Sequence, residues 1–206
     1  MAVTDNRIYL ASKSPRRREL LRQIGVEFEL LMLRDEGVRD GAVDETPRDG
    51  EMPEAYVMRI AREKAESGRA AVLWRKLPHR VVLSADTTVT VDDRILGKPA
   101  DPDEAVAMLK MLSGRTHQVL TSVVVMAHDN LTQILQRSDV TFGTLSDQLI
   151  HQYCALSEPY DKAGGYAVQG QAAQFIERVS GSYSGIMGLP LFETTQLLQK
   201  VGIRIL

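Results

Sequence analysis

The sequence predicts an α/β fold built on a mixed β-sheet flanked by helices. Three observations carry this. Segments with a helical apolar period alternate with β-branched runs, which is the pattern of an α/β chain. Two of those runs, Gln118 to Ala127 and Gln133 to Phe142, are separated only by a short polar stretch at His128-Asp129-Asn130 and read as a long antiparallel pair. Other strands stand alone between helices, so a strictly parallel sheet is disfavoured.

Taken in order, Ile8 to Ala11 is a short apolar run that suits a buried strand. Ser14-Pro15 supplies an N-cap and a first-turn proline for a helix to about Ile24, closed by Gly25. A strand over Phe28 to Leu33 leads into an acidic, irregular segment from Asp35 to Glu54, read as a mobile surface loop. A helix is expected from Pro53 to about Ala71 and a strand from Arg80 to Asp92. Asp92-Asp93 then forms a tight hairpin with Arg94 to Leu96. Asp101-Pro102 starts a helix through Leu112, stopped by Ser113-Gly114. After the antiparallel pair come a helix over Leu145 to Leu156, a strand over Gln174 to Val179 and a closing helix over Pro190 to Lys200. No repeat or low-complexity tract interrupts this order, and residues 1–206 are expected to form a single domain.

Composition narrows the function classes. Of 206 residues, 44% are apolar, which is ordinary for a globular chain and enough to bury a core without a disulfide or metal staple. Lys and Arg number 25 against 27 Asp and Glu, a formal charge of −2, which argues against a protein that blankets nucleic acid. Cys154 is the only cysteine, so an intrachain disulfide is excluded and a reducing, cytoplasmic setting is expected. The longest apolar stretch, Val119 to Ala127, is broken by Thr121 and Ser122 and falls far short of the ~20 residues a spanning helix needs. The opening MAVTDNRIYLAS has no basic-then-apolar signal pattern, so neither a signal peptide nor a membrane role is expected.

The informative positions are those that break local rules, because such conflicts gather at functional sites. In Ser14-Pro15-Arg16-Arg17-Arg18, the helical period places Arg17 among Leu20, Leu21 and Ile24, while Arg18 and Arg22 face away. Cations in a first helical turn oppose the macrodipole, so the arrangement makes sense if an anion is the third party, with free N–H groups, Arg16 and Arg17 forming a phosphate cradle. The plain alternative is an arginine-rich surface helix. Lys64 continues the buried stripe of Val57, Ile60 and Ala61, which either snorkelling or a ligand explains. Arg59, Arg62 and Glu63 read as solvent-face charges. Asp86 lies inside the β-branched run VVLSADTTVTV, where a carboxylate must be paired, hydrogen-bonded or metal-bound. Lys98 in Gly97-Lys98-Pro99 and the Gly-rich stretch Tyr160 to Gly170, which offers Gln169 to a base edge, are weaker signals that ordinary turns also explain. His117 and His128 lack neighbouring ligands and read as strand-associated polar residues, and Cys154 reads as a small packed side chain.

In sequence, LASKSPRRRELL, Asp35-Glu36, AREKA, SADTTV, GKP, LSGRTHQVLTSV, DKAGGYAVQG and GSYSGIMGLP closely resemble the Maf family of nucleoside triphosphate pyrophosphatases, also called septum formation inhibitor proteins. The resemblance runs from Ile8 to Gly202. It implies a mixed, twisted sheet flanked by helices in two lobes around a central cleft, similar to inosine triphosphatases, and a homodimer. Ser14 to Arg17, with Thr87 and Gln169, is similar to the branch acting on dTTP and UTP. Carried over, the resemblance makes Asp86 the carboxylate that activates water or holds a divalent cation (Mg²⁺, Mn²⁺ or Co²⁺), and Glu36 its acidic partner. It makes Lys64, Lys98 and Arg16 phosphate-facing, associates Arg17, Thr87 and Gln169 with the pyrimidine, and places Ser12 against substrate. The chain departs from the family pattern in a longer acidic segment over Asp44 to Met52. Two other readings remain at this point: a pyrophosphatase for another base, such as 7-methyl-GTP or inosine triphosphate, and a nucleotide-binding regulator of septum formation that does not hydrolyse.

Overall fold

A computed structural model describes residues 6–32 and 43–206. Its sheet has seven strands. Six lie in the order β2-β1-β3-β5-β6-β7, and β4 adds to the free side of β3. The strands are β1 (Ile8–Leu10), β2 (Phe28–Leu30), β3 (Val82–Val91), β4 (Arg94–Leu96), β5 (Thr116–Ala127), β6 (Asn130–Phe142) and β7 (Ile176–Ser180). β1 runs parallel to β2 and β3, and every other pairing is antiparallel, so the expected mixed sheet is present. The helices are α1 (Pro15–Gln23), α2 (Pro53–Trp74), α3 (Pro102–Leu112), α4 (Asp147–Cys154), a single turn α5 (Tyr183–Ile186) and α6 (Leu191–Lys200).

The caps read from sequence at Ser14 and Asp101 form as expected, and Ser146, inside the helix expected over Leu145 to Leu156, instead caps the shorter α4. Ser14 accepts from the Arg17 N–H, Asp101 from the Glu104 N–H and Ser146 from the Leu149 N–H, each satisfying a donor that the first helical turn leaves open. Asp92 and Asp93 both take positive φ, 50° and 58°, as the tightest hairpin turns require.

One face of the sheet serves two apolar cores, and β3 and β5 run through both, while Val82 and Val124 on the other face pack under α2. Val81, Leu83 and Ala85 of the β3 segment, with Val123 and Val125 of β5, pack under α1 and α6. Farther along the same strands, Val89, Val91 and Val119 pack under α3 and α4. Between the cores both strands turn polar at one register, Asp86 opposite Ser122 and Thr87 opposite Thr121. The interruption that rules out a spanning helix is therefore the seam between two lobes. Cys154 is buried in the second core, as its helical pattern predicts.

Four expectations need correction. The strand expected over Phe28 to Leu33 is confined to Phe28–Leu30, with Leu33 outside the described residues. Of the segment expected as a surface loop, the part before residue 43 lies outside the described residues, and residues 43–52 are irregular as expected but tied to α2: Arg59, expected to face solvent, donates to the carbonyls of Asp44 and Thr46 and to both Glu51 carboxylate oxygens. The strand expected from Gln174 starts later, at Ile176. Gln171–Phe175 is instead a 3₁₀ turn whose first two N–H groups donate to the Glu158 carboxylate. The Gly-rich stretch is also more than a surface loop: it contains two 3₁₀ turns, Glu158–Asp161 and Ala163–Gly165. Gly164, at φ 69°, presses so close to Val89 that a Cβ would stand 2.9 Å from its side chain, and its N–H donates to the Gly97 carbonyl at 2.9 Å. Only glycine combines that angle with that approach.

Candidate active site

The cleft follows from how β3 is paired. β5 lines one side of β3 along almost its whole length, whereas β1 pairs with it only at Val82 and Leu83, and β4 only from Val89 onward. Residues 84–88 therefore have no strand neighbour on that side. The notch opens beyond the carboxyl end of β1, where α1 leaves toward β2 and β3 lies on the other flank. Open α/β sheets place ligands at such a switch point. The cavity there measures about 860 Å³ and takes in Ser12, Arg16, Arg17, Lys64, Asp86 and Thr87, with Lys98 and Gln169 also in its walls. Every described residue that the sequence nominated is thus brought together. Asp35 and Glu36 lie outside the described residues.

Asp86 and Thr87 project from opposite faces of β3, and the notch exposes both to one cavity. On the Thr87 face the groups are tied by directional hydrogen bonds. Arg17, 9% exposed, donates from Nε to the Gly188 carbonyl at 2.8 Å, from Nη1 to Ser12 Oγ at 3.2 Å and from Nη2 to Thr87 Oγ1 at 3.1 Å. Thr87 Oγ1 lies 3.0 Å from Thr121 Oγ1, which donates to the Gly185 carbonyl at 2.8 Å. The helical period places Arg17 correctly on the buried face, and the reason is now visible: its guanidinium joins the β1 loop, β3 and the segment after α5.

On the Asp86 face the groups are charged. Asp86 is 7% exposed, and burial pushes its carboxyl above the ordinary carboxylate range against the opposing pull of Lys64 and Arg17. Lys64 Nζ donates to Asp86 Oδ1 at 2.8 Å and also meets Glu45 Oε1 at 2.8 Å. One ammonium thus bridges two carboxylates. The Tyr56 hydroxyl at this wall is pushed up to about 12, by burial first and then by the negative charges of Asp86 and Glu45, so it remains a donor.

Glu45 is the site residue that sequence reasoning missed. Asp44-Glu45 is a second acidic pair, nearer α2 than Asp35-Glu36, and that repetition was the available signal. Among the described residues Glu45 is the carboxylate that joins Asp86 across Lys64.

At the cleft's rim, Asp161 holds the Lys162 ammonium and lies 4.0 Å from Arg16, so it keeps two cations beside the N-terminus of α1. Behind the apolar wall formed by Val89, Val119 and Tyr166, His117 is buried on β5 with Nε2 2.7 Å from the Tyr166 hydroxyl. Burial lowers His117 to about 4, so it is neutral near pH 7, and it sits in the core as a packed strand residue rather than in the cavity.

The arrangement combines a helix N-terminus, several cations and a buried carboxylate in one concave space. A polyanion would be stabilised along its length, and the carboxylate stands where a water proton could be taken. Asp86 and Glu45 offer hard oxygen donors that share one lysine, which fits a divalent cation of the Mg²⁺ kind. No group of three or more His, Cys, Asp or Glu side chains is gathered among the described residues. Bound phosphate and water would therefore complete such a coordination shell, as Mg²⁺ commonly has it. Among the described residues no helix is long and apolar enough to cross a membrane.

Comparison with known proteins adds identity to geometry. Residues 7–201 match the family described as Maf-like protein. A dTTP/UTP pyrophosphatase of Aromatoleum aromaticum is 56% identical over 197 residues, which are 95% of this chain and 96% of that protein. One from Nitrosospira multiformis is 54% identical over 205 residues, 100% and 99% of the two chains. One from Dechloromonas aromatica is 50% identical over 198 residues, 96% and 98%. Among solved structures, the Ham1 protein of Staphylococcus aureus aligns over 94% of this chain and 98% of its own with a TM-score of 0.52. At 15% identity that likeness concerns the fold alone.

Proposed function

This chain belongs to the Maf-like protein family, and from that premise we propose that it is a nucleoside triphosphate pyrophosphatase that converts dTTP and UTP to the monophosphate and pyrophosphate. The observation that carries the reading is the pairing of a buried carboxylate, Asp86, with Lys64 in a cleft that also receives Arg16, Lys98 and the N-terminus of α1. Near-full-length relatives of at least 50% identity that bear this activity in their names support the substrate class.

Each residue has a physical task. Arg16, Lys98 and the open N–H groups of α1 offset the charge of the triphosphate and hold it in line, which is most of what phosphoryl transfer asks of a protein. Asp86, raised by burial, is suited to accept the proton of the water that adds across the α–β anhydride. The other product, pyrophosphate, departs with its charge met by Lys64 and Lys98. Arg17, Thr87 and Gln169 face the nucleoside, with Arg17 locked by three acceptors so that discrimination costs little reordering. A divalent cation, Mg²⁺, Mn²⁺ or Co²⁺, would be held by Asp86 and Glu45 and would polarise the phosphoryl oxygens. The reading includes a homodimer, which light scattering on the purified chain decides.

The test is a panel of dTTP, UTP, dCTP, GTP, inosine triphosphate and 7-methyl-GTP, incubated with each cation and resolved by anion-exchange chromatography. dTMP and UMP with stoichiometric pyrophosphate are the expected products. Release of inorganic phosphate and a nucleoside diphosphate would place cleavage at the other anhydride and overturn the reading, and a preference for a purine would overturn its substrate class.

A further inference from the structure

Glu45 lies within residues 43–52, which form neither helix nor strand, so its place over Lys64 and Asp86 must be fixed from outside that segment. Two side chains of α2 do this. The Arg59 guanidinium has five N–H donors and meets five acceptors. Nε and Nη2 donate to the two oxygens of Glu51 at 2.7 Å each. Nη1 donates to the Asp44 carbonyl at 3.3 Å and to Glu63 Oε2 at 3.4 Å, and Nη2 also donates to the Thr46 carbonyl at 3.1 Å. The Tyr56 hydroxyl donates to the carbonyl between these, that of Glu45, at 2.9 Å. Three consecutive carbonyls are gripped from one helix.

The clasp closes on itself, because the Arg48 N–H donates to Glu51 Oε2 at 3.0 Å and the Thr46 N–H to Asp44 Oδ1 at 2.9 Å. Arg59 and Glu51 are as shielded as the site's own ion pair, their side chains 13% and 9% exposed against 15% and 10% for Lys64 and Asp86. An ordinary surface ion pair ties two side chains and contributes little. This one reaches past its partner carboxylate to the backbone on both sides of Glu45.

We propose that Arg59, paired with Glu51, is a positioning residue that holds the 44–46 backbone so that the Glu45 carboxylate stands at Lys64 and Asp86. The inference rests on the pyrophosphatase reading above and adds a residue to it. A planar fork is needed: lysine has three donors on a single nitrogen and cannot span two carbonyls and a carboxylate at once.

The experiment compares wild type, Arg59→Gln, Arg59→Lys, Glu51→Gln, Glu45→Gln and the Arg59→Gln/Glu45→Gln double variant in the full chain. With dTTP, Arg59→Gln and Glu51→Gln are expected to lower kcat by about 10²-fold, the cost of a misplacement of roughly 1 Å, with KM little changed and the melting temperature close to wild type. Arg59→Lys recovers part of the loss. In the Glu45→Gln background, Arg59→Gln has no further effect, because its contribution passes through that carboxylate. Losses that simply add, or an Arg59→Gln enzyme with wild-type kcat, would overturn the proposal. Amide exchange at Thr46 and Arg48, whose N–H groups donate to Asp44 and Glu51 within the clasp, supplies a readout independent of turnover: fast in Arg59→Gln, slower in wild type and in Glu45→Gln. Fast exchange in the wild type would sink the clasp itself. A wild type inert toward every triphosphate would instead sink the pyrophosphatase reading, and the catalytic role of the clasp with it.

Discussion

Asp86 and Thr87 are neighbours in the chain, but the two faces of β3 they serve are organised by different physics. Around Asp86 the groups are ionised and their arrangement depends on balance of charge: a buried carboxyl raised by its surroundings, a lysine at 2.8 Å, and Glu45 at 2.8 Å on the same ammonium. Around Thr87 the acceptors are hydroxyls and a backbone carbonyl, and all three nitrogens of one guanidinium donate to them. A guanidinium keeps its charge at any working pH, and hydroxyls do not titrate there. The first face can therefore move protons, and the second can hold a shape while it does so. On the proposed function, chemistry and recognition would be separated by one residue of a strand whose side chains alternate across the sheet.

The strongest way to break that division is Asp86→Asn. The amide keeps the volume of the carboxylate and loses its proton affinity, so turnover of dTTP and UTP is expected to fall by at least about 10³-fold. The fold should persist, since burial already disfavours the charge being removed. Steady-state rates alongside circular dichroism read both. Near-wild-type turnover would show that the charged face is structural.

A smaller and different effect is expected on the other face. Arg17→Lys keeps the charge but cannot meet Gly188, Ser12 and Thr87 together. Loss of roughly 10- to 100-fold in kcat/KM is expected, concentrated in discrimination between pyrimidine and purine triphosphates, as when a polar site loses a fixed donor. A competition assay with dTTP and GTP measures it. An equal drop for both bases would mean that Arg17 serves the phosphates rather than the nucleoside.

How far the sequence reveals these faces depends on whether a residue is placed by its own element. Arg17 and Asp86 were legible because each violates the pattern of the helix or strand that carries it, and that element's period fixes where it points. The mixed sheet was legible for the same reason, through caps, hairpin turns and apolar periods. Glu45 and Arg59 were not. A helical wheel reports which side of α2 meets the sheet, and Arg59 does point away from it, but nothing local says that residues 43–52 fold back over that outer side. The link between His117 and Tyr166 was hidden likewise, because it joins residues 49 positions apart. Lys98 and Gln169 were weak signals because turns carry such residues routinely, and the Gly164 N–H to Gly97 carbonyl bond that joins their two segments is not readable from either one.

Acid offers the subtlest separation of the two faces, since their buried groups shift in opposite directions. The raised Asp86 carboxyl binds its proton in the folded state first, so acidification favours folding through that group. His117, on the Thr87 face, behaves the other way. Its value falls from 6.5 to about 4 on burial, so between those values the unfolded chain holds a proton that the folded chain does not. Its contribution to stability is therefore complete above the unfolded value and is lost as pH falls toward the folded one, by an amount on the order of 3 kcal/mol in total. His117→Gln does not titrate there and should flatten the dependence, even though it lowers stability near neutrality by disturbing the Tyr166 hydroxyl contact. Urea denaturation near pH 7 and near pH 5 would resolve this, with the wild type expected to lose about 2 kcal/mol more than the variant over that interval. Parallel losses in the two proteins would mean that His117 is not held neutral by its surroundings, and that the wall behind Tyr166 yields to protons as readily as the face around Asp86.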